Sequence, residues 1–185
     1  LTSKGPALYW SDRIGQGNVI FKMLKFRSMR VDTPAVATNL MTDPNTFLTP
    51  IGGFLRRSSL DELPQLFSVL KGDMSFIGPR PALFNQDDLI VLRTEQGVDR
   101  LMPGITGWAQ VSYPYGASVD DAARKLEYDL YYMKNMSLFL DVFILLDTIR
   151  TVLLGGAKAE EVQRHNRYFL SAVRVPGEES PATEG

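Results

Sequence analysis

Cysteine is missing from this chain of 185 residues. Its absence excludes disulfides, thiolate metal sites and a cysteine nucleophile. Histidine is nearly missing as well: the one present, His165, lies near the C-terminus. That argues against a histidine-cluster metal centre and against a Ser-His-Asp triad deep in the domain. Acid–base or covalent chemistry must then fall to carboxylates, lysines, tyrosines or hydroxyls. No apolar run reaches the ~18 residues that a bilayer span needs, and neither a signal peptide nor an internal repeat is visible. The chain starts at Leu1 rather than Met, in mid-pattern, and reads as a fragment whose N-terminal part has been removed.

The length suits one domain with a sizeable core, and 44% apolar with 22% charged residues is an ordinary globular balance. The net charge of −1 hides a local bias. Arg13, Lys22, Lys25, Arg27 and Arg30 occupy one segment that contains no acid. Such a segment suits an anionic ligand or surface, or forms a solvated strand pair with basic edges.

Coarse elements can be read from pattern. "GPALYWSDRIGQGNVIFKMLKFRSM" alternates loosely between apolar and polar, with Gly15 and Gly17 at a turn, and predicts two strands. Residues 32–50, rich in Pro, Thr, Asn and Asp, have loop composition. A short helix is expected from Gly52 to Arg57. Ser59 then resembles an N-cap, with Glu62 three residues on completing a capping box. Leu63, Leu66, Phe67 and Leu70 fall at helical spacing and should pack that helix into the core, with Gly72 ending it. "FIGPRPAL" is a stiff loop, because Pro79 and Pro81 fix φ on either side of Arg80. "PGITGWAQVSYPYG" predicts a loop leading to a short strand. A helix should run from Val119 to Lys134. Residues 137–154 predict a further helix: a buried core helix is the default, and a helix lying on a membrane interface the sharper alternative. From Pro176 onward the composition predicts a disordered tail, leaving residues 1–175 as the domain. The fold class expected is α+β: one mainly helical domain with a small hairpin or sheet and interfacial amphipathic helices.

The stretch "SSLDELPQLF" carries the chemistry. Asp61 and Glu62 are adjacent, preceded by Arg56 and Arg57 and followed by Pro64. A carboxylate is already ionised at neutral pH and forms an acyl phosphate when it attacks phosphorus. That attack needs a divalent cation and basic groups around the phosphate oxygens. Mg²⁺ takes one or two carboxylates plus phosphate oxygens and water. Adjacent carboxylates divide that work if both reach one site. The bland reading is that Glu62 only caps a helix.

Three blocks, "FKMLKFRSM", "LRRSSLDELPQLFSVLKGDMSFIGPRP" and "PGITGWAQV", resemble the bacterial sugar transferases, monotopic polyprenyl-phosphate phosphoglycosyl transferases. The resemblance runs in the same order from about Gly5 to Gly155. It implies transfer of a sugar 1-phosphate from a UDP-sugar to undecaprenyl phosphate, with release of UMP, through a phosphosugar-aspartate. It implies Asp61 as nucleophile and Glu62 as the holder of Mg²⁺ or Mn²⁺. It sets Arg56, and Arg80 with Pro79 and Pro81, at the nucleotide or its phosphates, and Lys25 and Arg27 in anion binding. The implied partners are the UDP-sugar, polyprenyl phosphate and the membrane surface at the cytoplasmic face of the bacterial inner membrane, with no nucleic acid; a homo-oligomer stays open. Family members carry an N-terminal re-entrant membrane helix ahead of the "GP" near this chain's start. The sugar is not legible: "RPALFNQDDLI" leans to N-acetylated amino sugars, "YPYGAS" and "YDLYYMKNMSLFLD" to simple hexoses. Two rivals remain. One is an inactive membrane-surface or nucleotide-sugar-binding module. The other is a nucleotidyltransferase releasing pyrophosphate, for which "GQGN" is a poor phosphate loop.

Overall fold

A computed structural model describes residues 3–34, 43–113 and 119–154. The expected tail from Pro176, the domain boundary before it and residues 114–118 of the "YPYGAS" stretch fall outside these residues. The fold is mixed α and β, as expected.

Strands β1 (Leu8–Ile14) and β2 (Ile20–Phe26) form the antiparallel hairpin that the alternation predicts, with Leu8 opposite Phe26 and Ile14 opposite Ile20. Gly17 (φ 64°) and Asn18 (φ 60°) both take the left-handed conformation at the turn, which Gly and Asn tolerate best. The hairpin buries Ser11, Met23 and Leu24 and exposes Tyr9, Trp10 and Ile20.

Helix α1 (Gly52–Arg57) matches expectation. The next segment does not. Leu60–Gln65 is a 3₁₀ helix, and only Leu66–Lys71 (α2) is α-helical. Ser59 is left-handed (φ 54°) and makes no side-chain capping bond, so the capping box is not formed; only the Glu62 backbone N–H reaches back, to the Ser59 carbonyl at 3.1 Å. The apolar run is also turned around. Asp61, Pro64, Gln65 and Ser68 are buried, whereas Leu63, Leu66, Phe67 and Leu70 are exposed, Leu70 at 83%. The tighter 3₁₀ winding and Pro64, which lends no donor, swing the spacing that an unbroken α-helix would give.

Strands β3 (Ser75–Ile77) and β4 (Gly104–Thr106) pair in parallel, and helix α3 (Asp87–Glu95), which no sequence pattern announced, lies between them in the chain. In the "PGITGWAQV" block the expected short strand comes early, as β4 directly after Pro103, and is followed by helix α4 (Trp108–Ser112), which was not expected. Helix α5 (Val119–Lys134) has the expected bounds. Helix α6 (Leu138–Leu154) contributes Ile144 to a buried cluster with Trp108, Val111 and Tyr132. Leu140 and Phe143 pack partly buried against that cluster, whereas Leu138, Phe139, Leu146 and Leu153 are largely exposed, so α6 is buried on one side only and not the wholly buried core helix expected by default. Among the described residues no helix is long and apolar enough to cross a membrane.

The β3–β4 contact leaves no room for side chains on its glycines. A Cβ on Gly104 would stand 2.2 Å from the Gly78 backbone nitrogen and 2.5 Å from the Thr106 carbonyl oxygen. Backbone atoms cannot step aside as a flexible side chain can. Gly104→Ala should cost about 3 kcal/mol, and lower the melting temperature by ~6–12 °C for a chain of this size. A thermal melt checks this; an unchanged midpoint would mean that the close approach is not rigid.

Candidate active site

The dyad sits on the 3₁₀ segment between α1 and α2, which packs against β2. The left-handed Ser59 is an uncommon conformation for a residue with a side chain, and it forces the break that turns the chain from α1 into the 3₁₀ segment. As a result Asp61 is 9% exposed, and both Asp61 and Glu62 line an open cleft of about 1260 Å³.

Glu62 is the hub. Its Oε1 accepts from Lys25 Nζ at 3.0 Å and from Arg80 NH2 at 2.5 Å. Burial opposes its charge, but Arg80 and then Lys25 overcome it and hold the carboxyl far below the usual carboxylate range. Lys25 is brought down to about 8, chiefly by burial and then by the Arg80 charge, with Glu62 opposing. Asp61 is pushed above its ordinary value by burial and by the Glu62 charge, against Lys25, Arg56 and Arg80. Asp61 thus lies within the field of three cations and one anion, and the group as a whole carries a net positive charge, which suits an anionic ligand.

Each member is placed by a different element. Lys25 comes from β2. Arg56 lies in the last turn of α1 and donates from Nε to Ser28 Oγ at 3.0 Å. Arg80 comes from the loop after β3. That loop is held through its carbonyls, because Pro79 and Pro81 have no N–H to offer. The Pro79 carbonyl accepts from Gly104 N–H (3.0 Å), that of Arg80 from Arg93 NH1 (2.8 Å), that of Pro81 from Arg13 NH1 (3.3 Å), and that of Ala82 from Ile14 N–H (3.0 Å). Four successive carbonyls are anchored by β4, α3 and β1.

The predicted site residues divide accordingly. Lys25, Arg56, Asp61, Glu62 and Arg80 come together, with Pro79 and Pro81 flanking Arg80. Arg27 lines the same cleft, but its guanidinium donates to the Pro6 carbonyl (2.6 Å), Ser3 Oγ (2.9 Å) and the Met29 carbonyl (3.3 Å). The basic segment is not one surface: Lys22 pairs with Asp12 at 3.9 Å across the hairpin, and Arg30 with Asp32. Arg93 and Asp129, which also line the cleft, carried no sequence signal.

As for a metal, no group of three His, Cys, Asp or Glu side chains converges among the described residues. The donor set on hand is the Asp61–Glu62 pair. It fits a hard cation that takes one or two carboxylates and completes its shell with water and phosphate oxygens, and does not fit an all-protein cage.

Comparison with known proteins gives this geometry a lineage. A family profile described as bacterial sugar transferase matches residues 1–155. The chain is 43% identical over 165 residues to the UDP-N-acetylgalactosamine-undecaprenyl-phosphate N-acetylgalactosaminephosphotransferase of Aeromonas hydrophila, covering 85% of this chain and 38% of that protein. It is 42% identical over 160 residues to the undecaprenyl-phosphate glucose phosphotransferase of Komagataeibacter xylinus, covering 81% of this chain and 30% of the relative. It is 40% identical over 174 residues to the uncharacterized sugar transferase EpsL of Bacillus subtilis, covering 93% and 79%. The chain thus spans about a third of the length of the first two relatives and most of the third. With a match over most of its own length and identities of this size, the chain belongs to the bacterial sugar transferase family.

Proposed function

We propose that this chain catalyses transfer of a sugar 1-phosphate from a UDP-sugar to polyprenyl phosphate, with release of UMP, through a covalent phosphosugar on Asp61. The observation that carries the reading is a buried carboxylate, Asp61, set in a cleft beside the Lys25–Glu62–Arg80 ion cluster. In the first step an Asp61 carboxylate oxygen attacks the β-phosphorus of the UDP-sugar. An O–P bond forms, the bond from the bridging oxygen to that phosphorus breaks, and UMP leaves with the bridging oxygen. In the second step an oxygen of polyprenyl phosphate attacks the same phosphorus, the Asp61–phosphorus bond breaks, and the carboxylate is restored. Burial makes the Asp61 carboxylate more basic than usual and so a better nucleophile.

Lys25, Arg56 and Arg80 bind and orient the phosphates and offset the charge that builds up in the transition state. Arg80 is 43% exposed and so has room to turn from Glu62 to a phosphate. Glu62 would hold Mg²⁺ or Mn²⁺, which would supply further neutralisation of the phosphate charge. The exposed apolar residues of α6, and Leu63, Leu66, Phe67 and Leu70 beside the dyad, suit a membrane interface where a lipid acceptor would be found.

The test is a panel of UDP-sugars given to the full-length protein in a membrane mimetic with polyprenyl phosphate and Mg²⁺. One sugar should yield UMP and a lipid-linked product, with activity lost in excess EDTA. Pyrophosphate as product would indicate a nucleotidyltransferase, and no turnover of any UDP-sugar would favour a binding module.

Lys25 gives the reaction a pH signature. In the free protein it loses its proton above about pH 8, so kcat/KM for the UDP-sugar should fall on the alkaline side of that value. The fall is not an unfolding limb. The unfolded amine keeps its ordinary 10.5, so between about 8 and 10.5 the unfolded chain binds the extra proton and this group's contribution to stability rises with pH. Lys25→Arg should move the limb beyond about pH 10, because a guanidinium keeps its proton there. A profile flat to about pH 10 in the wild-type protein would remove Lys25 from phosphate binding.

A further inference from the structure

Arg93 lies on α3, away from every motif that marks the dyad, yet it touches the loop that carries Arg80. Its NH1 donates to the Arg80 carbonyl at 2.8 Å and its NH2 to Asp129 Oδ2 on α5 at 3.3 Å. Both side chains are largely buried, at 13% and 11% exposed. A buried arginine placed between a backbone carbonyl and a buried acid has little freedom to move, because leaving either partner would strand a charge or a polar group out of water.

The loop gives that anchor a use. Pro79 and Pro81 cannot be fixed through N–H groups, so its orientation depends on its carbonyls. Three of the four anchored carbonyls belong to other residues; the one held by Arg93 belongs to Arg80 itself. Preceding a proline restricts Arg80 to a broad extended basin. Holding the plane of the Arg80–Pro81 peptide narrows ψ within that basin, and with it the direction in which the Arg80 side chain leaves the backbone. From that starting direction the guanidinium reaches Glu62.

We infer that Arg93, seated on Asp129, is a positioning residue for Arg80: it sets the aim of the Arg80 guanidinium at the nucleotide phosphates through the main chain. This rests on the proposed nucleotide-sugar chemistry. Arg93 also lines the cleft, so the alternative is direct contact with the ligand, and the two differ in how the effects of substitution combine.

A double-mutant cycle separates them, with UDP as the probe and Mg²⁺ present, read by titration calorimetry on the purified protein. Arg80→Ala should weaken UDP binding roughly 30-fold and Arg93→Gln roughly tenfold. If Arg93 acts through Arg80, the double variant should be no weaker than about 30- to 60-fold, because an absent guanidinium cannot be misaimed. Losses that multiply to about 300-fold would show independent contact and overturn the inference, as would Arg93→Gln binding UDP like the wild type. Asp129→Asn should give a smaller loss of the same kind, which also vanishes on the Arg80→Ala background. If Arg93→Gln lacks the wild-type circular dichroism spectrum, Arg93→Lys replaces it in the cycle; its ammonium reaches only one partner, so a several-fold loss is expected alone and none beyond Arg80→Ala in combination. Wild-type protein that fails to bind UDP would instead overturn the nucleotide-sugar reading and this inference together.

Discussion

Asp61→Asn should lower turnover by ~10³-fold or more while the fold stays intact. The two side chains have nearly the same shape, but an amide carries no charge and cannot form the acyl phosphate that holds the phosphosugar. Stability should not suffer. The Asp61 carboxyl lies above its ordinary value because burial, and then Glu62, disfavour the charged form. A group with that sign of shift is harder to ionise folded than unfolded, so at neutral pH its charge is a cost to the native state. A neutral isostere removes the cost, and the melting temperature of Asp61→Asn should equal or exceed that of the wild type. UMP release and a thermal melt, taken together, check both halves. Activity within a few-fold of wild type would take Asp61 out of the nucleophile's role; lost activity with a collapsed melt would make its role structural.

The second large effect is expected at Arg80. Arg80→Ala should raise KM for the UDP-sugar by about 10- to 100-fold, the range for a charge-assisted bond to phosphate, whereas Arg57→Ala should change it less than about twofold. Arg57 is as basic and close in sequence to the dyad, but it is exposed and on α1, outside the residues that line the cleft. Arg80 has a backbone held at four successive carbonyls and a guanidinium already on Glu62. Its removal also leaves Lys25 as the remaining partner of Glu62 Oε1, which lets the Glu62 carboxyl rise toward its ordinary value. Steady-state kinetics on the two variants decide it. Equal effects would mean that the Pro79–Pro81 loop is scaffolding and that the basic residues act only as a diffuse field.

Much of this arrangement could be read from the chain before folding, and the exceptions have physical causes. The hairpin was legible because a period-2 pattern and "GQGN" state both strands and turn. Helices α1 and α5 were expected at the bounds they take. Residues 60–71 were not. Leu63, Leu66, Phe67 and Leu70 have helical spacing, but Ser59 in the left-handed region and Pro64 shift the winding, so the acid and the polar residues turn inward. A pattern that counts apolar residues cannot see that a buried carboxylate is compensated by Lys25, which lies 37 positions before Glu62 in sequence. Helix α3 escaped because it buries none of its residues fully and so leaves no amphipathic trace. Arg93 and Asp129 escaped for a related reason. Their meaning lies in a contact between α3, α5 and a proline-flanked loop, and long-range placement of that kind has no local signature. Helix α6 was ambiguous because buried-core and interfacial helices share a composition, and composition alone does not say that Ile144 and Phe143 turn inward while Leu138 and Phe139 stay exposed.

The covalent step at Asp61 is tested most directly by mass. The protein mixed with its UDP-sugar and Mg²⁺, without lipid acceptor, and quenched within seconds at acidic pH should gain the mass of one sugar phosphate. Peptide mapping should place it on Asp61, at most about one equivalent of UMP should appear as a burst, and polyprenyl phosphate should then remove the adduct. The contrary result is a full-length enzyme that turns over with lipid acceptor yet never gains that mass and releases no UMP until both substrates are bound. In that case the sugar phosphate passes directly between substrates, and Asp61 is not the nucleophile.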